Sequence, residues 1–151
     1  MTQLSMAQAT AKYDRGFAIV LGFEFLEWGP ERAVIGMQVR PEHLNLAGIT
    51  HGGILASLLD IAGSAAGSYC PYPDRIRKVV TLSMTTTYTG QAGVGYIRAI
   101  ARRRAGGRRI FNASVDILAD DDRLLAMGEG TFRFRTGSEG PEGVPFESDA
   151  A

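Results

Sequence analysis

The stretch from residue 51 to residue 69 most constrains how this chain can fold. Placed on a helix at about 100° per residue, its side chains separate into two unlike faces. One face is apolar over a wide arc and comprises Ile54, Leu55, Leu58, Leu59, Ile61, Ala62, Ala65, Ala66 and Tyr69. The other face holds Asp60 among small residues only, namely Gly53, Ala56, Ser57, Gly63, Ser64 and Gly67. Such a helix, predicted over about 52–69, requires a sheet around its apolar face and a closely packed backbone or ligand along its small-residue face.

The rest of the sequence supplies the strands for that sheet. Alternating apolar residues predict strands at 17–28, 32–39, 79–88, 95–104, 109–119 and 124–135, separated by turns rich in Gly, Pro and Asp. A short amphipathic helix is expected over about 3–15. One long helix followed by an antiparallel meander predicts an α+β architecture in which the sheet encloses the helix.

Length and composition are those of one small domain. The chain has 151 residues, of which 45% are hydrophobic, enough for a single core. We expect this domain to span residues 1–136. Residues 137–151 contain four acids, no basic residue and several Gly, Pro and Ser, which predict a disordered acidic tail.

The start of the central helix is the first candidate for chemistry. His51 precedes Gly52 and Gly53, and a glycine pair at a helix start presents backbone N–H groups at the positive end of the helix dipole. Such groups stabilise a developing oxyanion or an anionic ligand. Tight helix packing is the alternative explanation for the two glycines.

Asp60 lies more than two turns inside the same helix, where a carboxylate needs a partner. Its position is about 13 Å along the axis from His51, at 1.5 Å per residue, and on the opposite side. One chain therefore does not easily bring Asp60 and the Gly52 amide to the same reacting atom, whereas two helices packed side by side do. The sequence predicts a site shared across a two-fold dimer interface. The alternative is a structural carboxylate satisfied by a hydroxyl or a dimer contact.

The spacing around this helix resembles that of the acyl-CoA thioesterases of the hotdog fold, in particular their phenylacetate-pathway, PaaI-like branch. That branch has an Asn, then a Gly, then His-Gly-Gly, then an acid seven positions after the last glycine. The matching residues are Asn45, Gly48, His51, Gly52, Gly53 and Asp60. The resemblance extends over the order of elements from about residue 12 to residue 135. It implies a hotdog fold, with a long central helix wrapped by a curved antiparallel sheet, and a homodimer or a dimer of dimers.

The resemblance also implies a reaction, the hydrolysis of an aryl- or medium-chain acyl-CoA to the free acid and CoA. The Gly52 N–H would polarise the thioester carbonyl, and Asp60 of the partner chain would act as general base or nucleophile. Asn45 and His51 would orient the water and the substrate, and Gly53 would contribute to binding. The family often has a Ser or Thr on the strand after the helix as a water ligand, and Thr81 is the nearest match.

Two of these residues also have simpler explanations. Asn45 suits a turn before Gly48, because Asn hydrogen-bonds locally to the backbone. Thr81 shares its strand with Ser83 and Thr85, which at a period of two lie on the same face as Thr81.

A basic hairpin is predicted between two of the strands. Arg102, Arg103 and Arg104 precede a turn with two glycines, and Arg108 and Arg109 follow it. Because guanidinium groups bind phosphates through a planar fork, this hairpin is a candidate contact for the CoA phosphates. The alternative is a solvated turn that discourages edge pairing. Nucleic acid is a less fitting partner, since the charge is local and no aromatic residues interleave with it.

Composition also narrows the setting in which we expect the protein to work. The single cysteine, Cys70, gives no disulfide within the chain and favours a reducing cytoplasm. Neither a signal-like N-terminus nor an apolar stretch of about 18 residues is present, so secretion and membrane association are not expected. His43 and His51 have no Cys or acid at ligand spacing, so we expect no metal, and no cofactor beyond the CoA of the substrate.

Three other functions share some of these features. A hotdog hydratase or dehydratase would carry its catalytic His and acid in a different sequence context, and Asp60 in this helix favours hydrolysis. A non-catalytic acyl-CoA-binding protein would use the same pocket and leave the ligand intact. A serine esterase would need a Gly-x-Ser-x-Gly motif, which the sequence lacks.

Overall fold

The computed structural model of the chain describes residues 3–146. Its helices are α1 (Met6–Tyr13), α2 (Phe17–Leu21) and α3 (Gly52–Gly67), with a short 3₁₀ turn at Pro41–His43. Its strands are β1 (Phe23–Gly29), β2 (Arg32–Val39), β3 (Arg75–Ile76), β4 (Val79–Tyr88), β5 (Gly95–Gly106), β6 (Ile110–Ala119), β7 (Leu124–Phe134) and β8 (Val144–Pro145). In these described residues no helix is long and apolar enough to cross a membrane.

Six of the strands form one antiparallel sheet in the order β1-β2-β5-β6-β7-β4. The α3 helix packs across one face of this sheet, and Leu58, Leu59 and Ala62 on its apolar side are each 0% exposed. The strand residues facing it alternate with outward-facing residues, as the period of a strand requires. The predicted α+β architecture is confirmed. Strand β4 lies at one edge of the sheet, directly after α3 and the short β3 in sequence.

Two glycines of α3 belong to its buried side, which corrects the sequence prediction. A Cβ on Gly63 would lie 2.9 Å from the ring of Phe132, and one on Gly67 would overlap the ring of Phe111. These two rings stack on each other at a centroid distance of 5.3 Å and fill the space against the helix. The prediction that Gly63 and Gly67 lie on the open small-residue face was therefore wrong. That face is narrower and comprises Gly53, Ala56, Ser57, Asp60 and Ser64.

The first predicted strand divides into a helix and a strand. Gly16 (φ 59°) and Gly22 (φ 69°) bracket α2, and backbone in the left-handed region interrupts an extended chain at both positions. The alternation of buried residues begins only at Phe23. The preceding helix, expected over about 3–15, begins at Met6 because Ser5 caps it.

The central helix also ends earlier than predicted. It was expected to reach residue 69, but Gly67 is its last residue and Ser68 is its C-cap. The Ser68 N–H donates to the Ala65 carbonyl. The chain then leaves α3 toward Cys70, which is 1% exposed.

The predicted disordered tail is ordered as far as the structure describes it. Strand β8 pairs with β3, and Arg75 donates to the carbonyls of Glu142 at 2.6 Å and Gly143 at 2.7 Å. Arg77 donates to the Glu139 carbonyl at 2.7 Å. The expectation of disorder was wrong for residues 137–146, because two arginines far away in sequence bind the tail's carbonyls. Residues 147–151 lie outside the described residues.

Candidate active site

Strand β4 runs beside the open face of α3 and contacts it at two places. The Thr81 hydroxyl donates a hydrogen bond to Asp60 Oδ1 at 2.6 Å. Seven residues later, the Tyr88 hydroxyl donates to the carbonyl of Gly52 at 3.0 Å. The structure therefore places Thr81, the expected water ligand, in direct contact with Asp60. It also brings Tyr88, which was not among the predicted site residues, to the start of α3.

A β-bulge in β4 makes both contacts possible. Residues seven apart on a regular strand point to opposite faces of the sheet. The register of β4 against β7 shifts between Thr81, which pairs with Phe132, and Ser83, which pairs with Thr131. The extra residue turns the rest of the strand over, so that Thr81 and Tyr88 both face α3. Ser83 shares its face with Thr131 and therefore points away, as does Thr85, so the expectation that they lie on the face of Thr81 was wrong.

His51 is the N-cap of α3. Its Nδ1 accepts a hydrogen bond from the Gly53 N–H at 2.9 Å, so the neutral imidazole carries its proton on Nε2. The Gly53 N–H is thus occupied and is not a free donor for a ligand, and a binding role for Gly53 stays a prediction. The Gly52 N–H has no hydrogen-bond partner among residues 3–146. Within the described part of the chain, the Gly52 N–H at the positive end of the helix dipole is therefore left without a partner.

Asn45 shapes the loop in front of this helix. Its Oδ1 accepts hydrogen bonds from the N–H groups of Ala47 at 2.9 Å and Ile49 at 3.3 Å. This is the local turn that the simpler explanation anticipated. Asn45 also lines, with Gly52 and Tyr88, a cavity of about 420 Å³ at the start of α3. Asn45, Gly52 and Tyr88 are thus brought together, while Asp60 and Thr81 lie farther along the helix.

Asp60 and the Gly52 amide are apart within one chain. Eight residues of helix separate them by about 12 Å along the axis. The neighbouring part of β4 is exposed to solvent. The exposed fraction is 50% for Leu82, 37% for Met84 and 53% for Tyr88. Asp60 itself is half-buried.

A second cavity lies along the C-terminal half of α3, where Ile61 and Ser64 follow Asp60 by one and four residues. Its volume is about 450 Å³. Ile61 and Ser64 of α3, Val79 of β4, Phe23 of β1 and Phe17 of α2 contribute to its lining. Its walls are mostly apolar, and it has the size of cavities that hold small organic ligands, about 300–1,000 Å³. Phe17 was not predicted as a lining residue, because residues 17–28 were expected to form one strand and Phe17 instead begins α2.

The basic hairpin lies near the C-terminal end of α3, where Phe111 beside it contacts Gly67. Arg102, Arg104 and Arg108 are exposed. Arg103 differs, because it donates to the Gly107 carbonyl at 3.0 Å and its guanidinium lies over the Phe111 ring at 5.4 Å. Burial and the nearby charge of Arg103 lower the pKa of Arg77. In residues 3–146 no group of three His, Cys, Asp or Glu is arranged to hold a metal ion.

Known proteins are similar to this chain in sequence. The family model of the Thioesterase superfamily matches residues 47–126, more than half of the chain, including α3 and β4. The chain belongs to this superfamily. Acyl-coenzyme A thioesterase 13 of Mus musculus is 32% identical over 104 residues, which are 68% of this chain and 72% of that protein. The protein is therefore a thioester hydrolase.

Solved structures agree with the family at the level of the fold. A variant of the phenylacetic acid degradation protein PaaI from Thermus thermophilus superposes with a TM-score of 0.67 and 31% identity, covering 79% of this chain and 97% of that one. A thioesterase from Haemophilus influenzae superposes with a TM-score of 0.78, 22% identity and coverage of 89% and 92%. The fold of this thioester hydrolase is the hotdog fold, and the predicted resemblance to hotdog thioesterases is confirmed.

Proposed function

We propose that this thioesterase hydrolyses an aryl- or medium-chain acyl-CoA to the free acid and CoA. The hydrogen bond between Thr81 and Asp60, next to the open face of α3, carries this proposal. It holds a half-buried carboxylate in one orientation beside a surface with room for a substrate. The similarity to acyl-coenzyme A thioesterase 13 supports CoA as the thiol.

In the proposed reaction the Gly52 N–H donates to the thioester oxygen as negative charge develops there. Asp60 takes a proton from a water molecule whose oxygen attacks the carbonyl carbon, or it attacks that carbon itself. The carbon–sulfur bond then breaks and CoA leaves as the thiolate. In the first case the thiolate takes up the proton held by Asp60. In the second case a water molecule hydrolyses the anhydride formed with Asp60, which releases the free acid and restores the carboxylate. The Thr81 O–H donates its hydrogen bond to Asp60, so the Thr81 oxygen is free to accept a hydrogen bond from the attacking water. Asn45 and His51 hold the loop and helix start that present Gly52.

We propose that each site combines Gly52 of one protomer with Asp60 of a second. The separation of about 12 Å along one helix supports this, because a single carbonyl group cannot contact both groups of one chain. Strand β4 is an edge strand with exposed Leu82 and Met84, which favours a two-fold contact along this edge. The homodimer is thus part of the proposed mechanism, and a dimer of dimers is compatible with it.

The cavity of about 450 Å³ is the proposed site of the acyl group. It starts at Ile61 and Ser64, one residue and one turn beyond Asp60, so an acyl chain attached to a carbonyl at Asp60 can enter it. Its mostly apolar walls suit an aryl ring or a medium-length chain. The exposed Arg102, Arg104 and Arg108 are the proposed contacts for the CoA phosphates. No cofactor besides the CoA of the substrate takes part.

The test is free-thiol release from a panel of aryl, short-chain and medium-chain acyl-CoAs. Asp60→Asn keeps the size of the side chain and removes the base, so kcat is expected to fall by about 10²–10⁴-fold. Asp116→Asn is the matched control, because Asp116 is exposed on the outer face of β6. Its kcat should equal that of the wild type.

Equal loss of activity in both variants would contradict a specific role for Asp60. Bound but unhydrolysed acyl-CoA in the wild-type protein would instead favour a binding protein. Folding and oligomeric state must be matched, by circular dichroism and by light scattering, before rates are compared.

A further inference from the structure

The peptide unit between Gly52 and Gly53 is held at both of its ends by side chains. Its carbonyl accepts from the Tyr88 hydroxyl at 3.0 Å, and its N–H donates to His51 Nδ1 at 2.9 Å. The next peptide toward the N-terminus carries the Gly52 N–H, the proposed oxyanion donor. Its carbonyl, that of His51, accepts from the Ile54 N–H at 2.9 Å. These three hydrogen bonds restrain the two peptide units and so fix the direction in which the Gly52 N–H points.

Two glycines in succession make such restraints necessary. Glycine has the widest range of backbone conformations of any residue, and the first turn of a helix lacks the hydrogen bonds that restrain its interior. A backbone donor stabilises an oxyanion only when it points at the position where the charge develops. A small loss of alignment at a reacting centre costs a large part of the rate.

We propose that Tyr88 is a positioning residue that aims the Gly52 N–H at the thioester oxygen. This inference rests on the proposed function, in which Gly52 is the oxyanion donor. The Tyr88 side chain is 53% exposed, so its hydroxyl does not serve the core. Its ring lies 3.3 Å from the place where a Cβ of Gly52 would be, which brings the hydroxyl to the carbonyl.

The bulge in β4 places both Thr81 and Tyr88 on the side of α3, as the proposal requires. Without the extra residue between Thr81 and Ser83, either Thr81 or Tyr88 would turn to the outer face. With it, one strand supplies the partner of the carboxylate and the restraint on the oxyanion donor. Bulges that re-aim side chains are common beside active sites.

The experiment compares Tyr88→Phe with Tyr96→Phe. Both changes remove a hydroxyl from a partly exposed tyrosine on the sheet, and Tyr96 donates to Glu24 Oε1 at 2.7 Å on the outer face, away from α3. Tyr88→Phe is expected to lower kcat about tenfold with an unchanged KM, because alignment and not binding is lost. Tyr96→Phe is expected to leave both constants unchanged.

A second measurement tests the hydrogen bond from the Gly52 N–H to the substrate carbonyl directly. An acyl-CoA labelled with ¹³C at the carbonyl is bound to the Asp60→Asn variant, with and without Tyr88→Phe, and its carbonyl stretching frequency is recorded by infrared difference spectroscopy. A well-aligned donor lowers this frequency. We expect the Tyr88→Phe change to return it toward the value for free substrate.

Three outcomes would overturn the role of Tyr88. These are an unchanged kcat and carbonyl frequency in Tyr88→Phe, a raised KM at constant kcat, and a loss of rate that follows a lost fold or oligomer. Failure of the proposed function is separate, since the wild-type protein would then release no thiol from any acyl-CoA.

Discussion

Gly52 has two properties that substitution can separate, its backbone N–H and its lack of a side chain. Proline is well tolerated at the first position of a helix and has no N–H. His51 has φ −62° and ψ 137°, a conformation that a residue before proline adopts readily. Gly52→Pro thus removes the proposed oxyanion donor without a backbone conflict. Gly52→Ala keeps the N–H while adding a Cβ at the same 3.3 Å from Tyr88.

We therefore expect kcat of Gly52→Pro to lie about 10²–10³-fold below that of Gly52→Ala, measured as thiol release at saturating acyl-CoA. The alanine variant reports the cost of the added carbon alone. Equal rates in the two variants, with both folded, would remove the Gly52 N–H from the mechanism.

At the scale of elements, α2 forms one wall of the cavity proposed for the acyl group. Phe17 lines this cavity and is 58% exposed, whereas Ile19 on the same helix is 59% exposed and does not line it. Neither side chain belongs to the core, so truncating either should leave the fold intact. Comparing variants at these two positions therefore distinguishes a residue that lines the cavity from an exposed apolar residue that does not.

Phe17→Ala enlarges the cavity, so we expect the ratio of kcat/KM for longer over shorter acyl-CoAs to rise. The expected rise is roughly tenfold, which is the discrimination that one methylene group gives in an apolar pocket. Ile19→Ala should leave the ratio as in the wild type. The measurement is kcat/KM over a series of acyl-CoAs of increasing length. The same ratio in all three proteins would place the acyl group elsewhere.

For the whole molecule, the proposed shared site predicts the activity of a refolded mixture of two inactive variants. Gly52→Pro and Asp60→Asn are each expected to be inactive alone. In a random mixed dimer with shared sites, one of the two sites receives the intact Gly52 and the intact Asp60. Half of the dimers are mixed, so the refolded mixture should recover about a quarter of the wild-type activity.

Sites contained within single chains would give no recovery, because every chain then carries a defect in its own site. The control is the same two variants combined without refolding, where subunits have not exchanged. Thiol release from an acyl-CoA that the wild type hydrolyses is the readout in both cases.

Much of this site could be predicted from local sequence. The period of α3, the glycine pair after His51 and the lone Asp60 are properties of one continuous segment, and a helix fixes their relative placement. Thr81 was predicted only as a water ligand, through the family resemblance, and its hydrogen bond to Asp60 is a result of the structure. The hotdog fold followed from the order of these elements together with the resemblance of the His-Gly-Gly segment.

The remaining features depend on contacts between distant segments. The periodicity of α3 separates its faces but does not say which side the rings of Phe111 and Phe132 will cover, so Gly63 and Gly67 were misplaced. A bulge belongs to a pair of strands, and the regular period of two expected for β4 by itself puts Tyr88 on the face opposite Thr81.

The sequence alone determined the central helix, the alternating strands and the chemical groups at the start and middle of that helix, because these follow from the dihedral angles and spacing of neighbouring residues. The folded molecule was needed to establish the face that Tyr88 occupies, the helical form of α2, whose Val20 carbonyl binds Arg40 and His43, and the ordered segment bound by Arg75 and Arg77. Each of these depends on hydrogen bonds or packing between residues far apart in the chain, whose free energy outweighs the local preference of the segment.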